Sequence, residues 1–248
     1  MRSKGFTLVE MVITIIVLGV IFLGFTGILE TGTKGYIDSV DRQKVQNQAR
    51  FVIEKMSREI RHAVPNSFAT TSSTSAKCIN FYPIVRSGFY SRNQTSGKVD
   101  FVVTNQGVQL PSPVSESLVI NPSRNADLTS GKQFKSLSGC RDSADSSCTE
   151  SQPASGVYVY SIDDDFNSHS VANRYYTYNG EVSYCISSSG NLTRNTVIVA
   201  EEVNFTQSRF EYLQATLQRG GLVHLDFLFT NQDEQSFYRH DVQVLNVP

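Results

Sequence analysis

Apolar and polar positions follow three different rhythms along this chain. From Met11 to Leu29 no residue carries a charge, and the apolar positions have no polar face. As a helix at about 1.5 Å per residue that stretch is ~28 Å long, close to the thickness of a bilayer's hydrocarbon layer. From Val45 the spacing changes: Val45, Ala49, Val52, Ile53, Met56, Ile60 and Ala63 recur every three or four residues, as on one face of a helix. Arg50, Glu54, Lys55, Arg58, Glu59 and Arg61 fall mostly on the other faces, and Pro65 ends the pattern. The expectation is one long helix from about Phe6 to Val64, its first half apolar enough to cross a membrane and its second half amphipathic, with one face for core packing. Gly19, Gly24, Gly27, Gly32 and Gly35 weaken its middle, each by about 1 kcal/mol relative to alanine.

Beyond Pro65 the period shortens to two. Strands are expected at Cys78–Val85, Val99–Thr104, Ser117–Ile120, Val157–Ile162, Arg174–Tyr178, Glu181–Ile186, Asn195–Ala200, Leu222–Thr230 and Ser236–Val247. Asn179-Gly180 between two tyrosine-rich runs predicts a hairpin, since Asn-Gly suits a type I′ turn. A long helix followed by a mostly antiparallel sheet is α+β.

Charge narrows the choice of function. With 22 Lys+Arg against 23 Asp+Glu the formal net charge is −1, which removes the electrostatic case for nucleic acid while leaving room for a local basic patch, and no nucleic acid is expected as a partner. Arg2 and Lys4 ahead of the apolar run hold that end in the cytoplasm, which puts the globular part on the far side of the membrane. No Gly-x-Ser-x-Gly elbow, phosphate-binding Gly-rich loop or His-Glu-x-x-His is present, so no enzyme and no cofactor are expected.

The chemistry worth pursuing lies where the leader meets the helix. Gly5 precedes Phe6-Thr7-Leu8-Val9-Glu10, and then the uncharged run begins. A carboxylate this close to the start of a membrane helix costs about 2.5–3.5 kcal/mol on insertion scales, so Glu10 needs a cation. No Lys or Arg lies within reach on the same helix, the nearest, Lys4, being in the leader, and the source left is a neighbouring chain.

Lys4-Gly5-Phe6-Thr7-Leu8-Val9-Glu10 resembles the class III signal of type IV pilins and type II secretion pseudopilins. The resemblance implies cleavage by a prepilin peptidase between Gly5 and Phe6, and N-methylation of Phe6. It also implies that Glu10 docks the subunit by neutralising the terminal ammonium of an adjacent one. The organisation that follows is a leader (1–5), a transmembrane and assembly helix (6–29), its amphipathic continuation (30–65) and a periplasmic β-rich domain (66–248). The chain is then a single-pass protein of the bacterial inner membrane, incorporated into a pilus. Its implied partners are other major and minor pilins, the prepilin peptidase, an inner-membrane platform protein and an assembly ATPase.

Within the family the length suits a minor subunit. Ala49–Arg61 resembles the same stretch of larger minor pilins and of the J-type pseudopilin. His240–Pro248 with Ala63–Ser67 is more similar to MshO-type minor pilins of the mannose-sensitive haemagglutinin (MSHA) pilus. A role in MSHA pilus assembly and surface adhesion is the expectation, with a J-type pseudopilin or a DNA-uptake minor pilin as alternatives.

All four cysteines, Cys78, Cys140, Cys148 and Cys185, lie in the part expected to be periplasmic, where an even number suggests two disulfides. Of three connectivities the favoured one closes the Arg141–Ser147 loop with Cys140–Cys148, leaving Cys78–Cys185 to tie two strands. Asp163-Asp164-Asp165-Phe166-Asn167 offers oxygen ligands, and Asp163 and Asp165 are the calcium candidates, as in some pseudopilins. The run lacks the glycine and distal glutamate of an EF-hand loop, so a solvated acidic turn is expected.

Overall fold

In the computed structural model, residues 5–103, 109–110, 114–140, 148–151, 156–216, 219–231 and 234–244 are described. The leader residues Arg2 and Lys4, the Arg141–Ser147 loop and the last residues expected in the C-terminal strand lie outside them. One helix, α1 (Leu8–Arg61), opens the chain. Two compact units are present, Met1–Asn47 and Gln48–Pro248, and α1 contributes to both.

In the first unit the helix is continuous through all five glycines, with no break among them. Thr14 and Thr31 return their hydroxyls to the carbonyls of Met11 and Gly27, each at 2.9 Å, so these side chains add no unpaired polar group to an apolar surface. Among the described residues, Leu8–Phe25 is the segment long and apolar enough to cross a membrane, and none of it is buried in the protein.

In the second unit the period-3.6 face is turned inward: Ala49, Val52, Met56 and Ile60 are fully buried, as is Ala63 just beyond the helix. The helix stops at Arg61, a little before the expected Val64. Proline disfavours the helical conformation of the residue before it. The last turn tightens, with His62 and Ala63 donating to the carbonyls of Glu59 and Ile60, and Ala63 then bridges to Pro83.

The strands that follow are β1 (Ala69–Ser72), β2 (Ala76–Phe81), β3 (Arg86–Asn93), β4 (Lys98–Val102), β5 (Ser117–Ile120), β6 (Phe134–Ser136), β7 (Cys148–Ser151), β8 (Val159–Asp163), β9 (Arg174–Tyr178), β10 (Val182–Ser187), β11 (Leu192–Arg194), β12 (Val197–Ala200), β13 (Arg209–Leu213), β14 (Leu222–Asn231) and β15 (Glu234–Gln243). They form three antiparallel sheets, in the orders β1-β2-β10-β11-β12, β13-β14-β15 and β6-β5-β9-β3-β4-β8-β7. The α+β expectation holds.

The hairpin expected at Asn179-Gly180 does not form. Strand β9 pairs with β3 and β5, while β10 pairs with β2 and β11, so the Asn-Gly step carries the chain from one sheet to another. Neither residue takes the positive φ a type I′ turn requires. Burial overrides the turn signal: Tyr175, Tyr176 and Tyr178 are buried in β9 and Tyr184 is buried in β10. The Tyr178 hydroxyl donates to the Leu128 carbonyl inside a small core with Val64, Val119 and Tyr176. Positive φ appears instead at Asn195 and Thr196, which turn β11 into β12.

The seven-stranded sheet has its own core. Tyr90, Val99, Phe101, Leu118, Tyr160 and Tyr175 fill it, together with Cys140 and Cys148. Gly88 in β3 is a point of close approach: a Cβ there would lie 2.8 Å from the ring of Tyr175, its cross-strand partner.

Candidate functional site

The start of the helix is built by Thr7. Gly5, Phe6 and Thr7 precede the helix, and Phe6 is 75% exposed. The Thr7 hydroxyl accepts the backbone N–H of Glu10 at 3.3 Å, while its carbonyl accepts the N–H of Met11 at 3.2 Å. That is the N-cap arrangement, in which a Ser or Thr side chain satisfies one of the donors orphaned in the first turn. Glu10 is therefore the third helical residue, a position where the positive end of the helix dipole stabilises a carboxylate. Its side chain is exposed, and among the described residues no cation is paired with it. Nothing in the sequence reading had singled out Thr7, although Thr-x-x-Glu before an apolar run is the pattern of a capping box.

Gly5-Phe6 is thus an exposed peptide immediately ahead of a capped helix, with an uncharged exposed surface running on from Met11 to Phe25. Residues 1–26 match the prokaryotic N-terminal methylation motif. The match is consistent with a type IV pilin-like N-terminus, and the apolar helix with membrane anchoring. No curated protein and no solved structure matches the chain.

The cysteines pair as favoured. Cys78 and Cys185 face each other directly across β2 and β10, with their Cα atoms 4.1 Å apart, and are bonded. Cys140 and Cys148 form the second bridge, both buried in the core of the seven-stranded sheet. No described cysteine is free.

The acidic run does not assemble into a cation site. Asp163 ends β8 opposite Lys98 and is exposed. Asp164 turns to Arg92, whose Nε donates to it at 2.9 Å, and lies 3.3 Å from Nε2 of His169. Asp165 pairs with Lys135, and that hydrogen bond outweighs burial to hold its carboxyl below the usual range. Among the described residues no group of three or more His, Cys, Asp or Glu is placed to hold a metal.

Two further arrangements escaped the sequence reading. Glu59, on the helix, accepts from Arg194 of β11 and from Tyr184 of β10, fastening the helix to the five-stranded sheet. Burial and the adjacent carboxylate push the Tyr184 phenol up, while Glu59 outweighs the opposing effect of burial on Arg194 and raises it. Lys77 donates to three main-chain carbonyls, of Phe205 (2.7 Å), Thr206 (3.1 Å) and Ser208 (2.9 Å), pinning the chain between β12 and β13. Such partners are distant in sequence and leave no local pattern.

Proposed function

We propose that this chain is a minor type IV pilin of the MSHA pilus type. A prepilin peptidase cuts it between Gly5 and Phe6, and Phe6 is N-methylated. It is a single-pass inner-membrane protein with a periplasmic domain, and it enters a pilus through its N-terminal helix, supporting pilus assembly and surface adhesion. Glu10 docks it by pairing with the terminal ammonium of an adjacent pilin's Phe6. The platform protein and the ATPase that drive assembly are its other partners.

The observation that carries this reading is the juxtaposition at the helix start. An exposed Gly5-Phe6 peptide precedes a helix whose surface to Phe25 is apolar and uncovered, interrupted by one acid, Glu10. Within a bundle of such helices the cation for Glu10 has to come from another chain, and cleavage before Phe6 creates one. A charged pair of this kind is strong in a low-dielectric surround and discriminates against wrong registers. The MSHA assignment rests on His240–Pro248 and Ala63–Ser67; the J-type pseudopilin, favoured by Ala49–Arg61, is the alternative. Deleting the chain should abolish surface pili on the first reading and secretion of folded exoproteins on the second.

Intact mass of the protein extracted from membranes tests the processing. The expected chain begins at Phe6 and carries one added methyl group. A mature chain that keeps residues 1–5 overturns the proposal.

A further inference from the structure

The two disulfides lie in different surroundings. Cys140 and Cys148 are 2% and 4% exposed and belong to the core of the seven-stranded sheet. Cys78 and Cys185 lie on the outward side of the five-stranded sheet, across its central pair of strands. In β10 the side chains alternate: Val182, Tyr184 and Ile186 are buried, whereas Ser183, Cys185 and Ser187 are partly exposed. Cys78, directly opposite Cys185, is partly exposed as well. It also lines a groove of about 270 Å³, together with Thr70, Thr71, Ser72 and Arg209.

We infer that Cys78–Cys185 is a thiol-exchange site of the folded protein, opened by a dithiol and closed again within the chain, while Cys140–Cys148 is a fixed cross-link. Exchange requires an incoming thiolate to reach one sulfur and the other sulfur to leave. The groove gives the approach to Cys78. Cys185 is the leaving group, because the Ser183 hydroxyl lies 3.2 Å from its Sγ. That hydroxyl donates to Oδ1 of Asn80 at 2.8 Å, and it turns to the sulfur once negative charge develops there. The thiolate of the dithiol bonds to Sγ of Cys78, the Cys78–Cys185 bond breaks, and Cys185 leaves as a thiolate. The second thiol of the reductant then loses its proton and attacks its partner sulfur in the mixed disulfide, releasing the Cys78 thiolate. Two electrons pass to the protein, the dithiol becomes a disulfide, and two protons end on the cysteines through solvent. The opened site keeps its geometry. Six residue pairs, from Val182–Phe81 to Ser187–Ala76, hold β10 against β2, and Ile79, Phe81, Tyr184 and Ile186 are buried beneath them. The two thiols therefore stay opposite each other, poised to re-form the bond. This site lies in the β-rich unit and does not depend on the pilin reading of the N-terminus.

The test uses the full chain in detergent micelles without denaturant. Dithiothreitol, or thioredoxin kept reduced by its reductase, is added; samples are acid-quenched, labelled with N-ethylmaleimide and peptide-mapped. Cys78 and Cys185 should be labelled about tenfold sooner than Cys140 and Cys148, with the far-UV circular dichroism unchanged. Oxidised glutathione should then restore the bond. Reduced glutathione, a monothiol, should leave its mixed disulfide on Cys78. Reduction by both reagents assigns a protein-borne Cys-x-x-Cys dithiol as the partner, and reduction by dithiothreitol alone assigns a small one. Equal rates at the two disulfides, opening only after denaturant is added, or a glutathione adduct on Cys185 in place of Cys78 overturns the inference.

Discussion

The Nε–H of Arg194 is shared between the two carboxylate oxygens of Glu59, at 3.1 and 3.0 Å, and the Tyr184 hydroxyl donates to the same carboxylate at 3.1 Å. Lys55 lies 3.7 Å away on the next turn of the helix. One glutamate thus gathers two strands onto the helix. Removing it leaves a phenol inside the core and a partly buried guanidinium without their acceptor. Glu59→Ala should destabilise the β-rich unit by about 3 kcal/mol, read from the denaturant midpoint of the full chain in micelles. Adding Tyr184→Phe should recover part of that loss, because the orphaned hydroxyl goes with it. Strictly additive losses in the double variant would show that the two groups do not share Glu59.

The disulfides close loops of very different length. Cys78 and Cys185 are 107 residues apart, Cys140 and Cys148 are 8 apart. In the chain-entropy model the first stabilises by roughly 4–5 kcal/mol and the second by roughly 2–3 kcal/mol. Replacing Cys78 and Cys185 together by alanine should therefore lower the midpoint more than replacing Cys140 and Cys148. Opposite ranking would mean that packing of the buried Cys140–Cys148 pair, rather than loop closure, dominates.

Asp127 gives the acid limb of the stability curve a specific contributor. Burial works against its ionised form, but hydrogen bonds from the Ser123 hydroxyl and N–H and from the Arg124 side chain and N–H prevail. Its carboxyl therefore sits below the ordinary value of 3.8. A carboxylate depressed in the folded state binds fewer protons folded than unfolded, so its contribution is present above about pH 4 and is lost as pH falls through the lowered value. The stability gap between wild type and Asp127→Asn should be constant near neutrality and should close below pH 4. A gap independent of pH down to 2 would assign the effect to packing.

The long helix was legible because its two halves announce themselves by composition and by period, neither of which needs a distant partner. Strands dense in β-branched and aromatic residues were legible too: Ser117–Ile120 and Arg174–Tyr178 are found with the expected bounds. Strand β3 was not among the expected strands, since Ser87-Gly88 interrupts any run of strand-forming residues there. Its glycine is there because Tyr175 lies across it, and that is a fact about a strand nearly ninety residues away. The Asn179-Gly180 error has the same origin, a local turn signal overruled by the cores that β9 and β10 each fill. Cys140 and Cys148 were readable from their short spacing, which limits where each can go. Thr7 was within reach of a capping-box pattern, whereas Glu59 and Arg194, 135 residues apart, had no local signature.

Gly88 supplies a direct measure of that long-range constraint. A methyl group there would meet the Cε1 and hydroxyl oxygen of Tyr175 at 2.8 and 2.9 Å, and the hydroxyl is anchored by its 2.7 Å bond to the Val102 carbonyl. The ring has no easy retreat, because Tyr175 is fully buried against Phe101. Gly88→Ala should cost about 1–3 kcal/mol, the usual range for overpacking a core. Restoration by Tyr175→Leu in the same chain would identify the ring as the obstacle; no loss in the single variant would remove it.

Thr7 and Glu10 together separate two jobs that one short segment performs. The cap involves the Thr7 hydroxyl and the Glu10 backbone N–H, so it survives any change to the Glu10 side chain. Glu10→Gln keeps the side chain's size and removes its charge, leaving the helix start intact apart from the dipole contribution of about 0.3–1 kcal/mol. Thr7→Val does the reverse: it keeps the carboxylate and removes the cap, at about 1 kcal/mol. If Glu10 docks the subunit through its charge, Glu10→Gln should leave membrane level and processing at wild type while incorporation into pili falls. Thr7→Val should assemble nearly as wild type does. Glu10→Val removes a group costing a few kcal/mol in lipid, so it should insert at least as well and still assemble poorly. The measurement is recovery of the chain with sheared pili, normalised to its level in membranes. Equal recovery of wild type and Glu10→Gln would reduce Glu10 to a helix-start residue, stabilised by the dipole and without a part in docking.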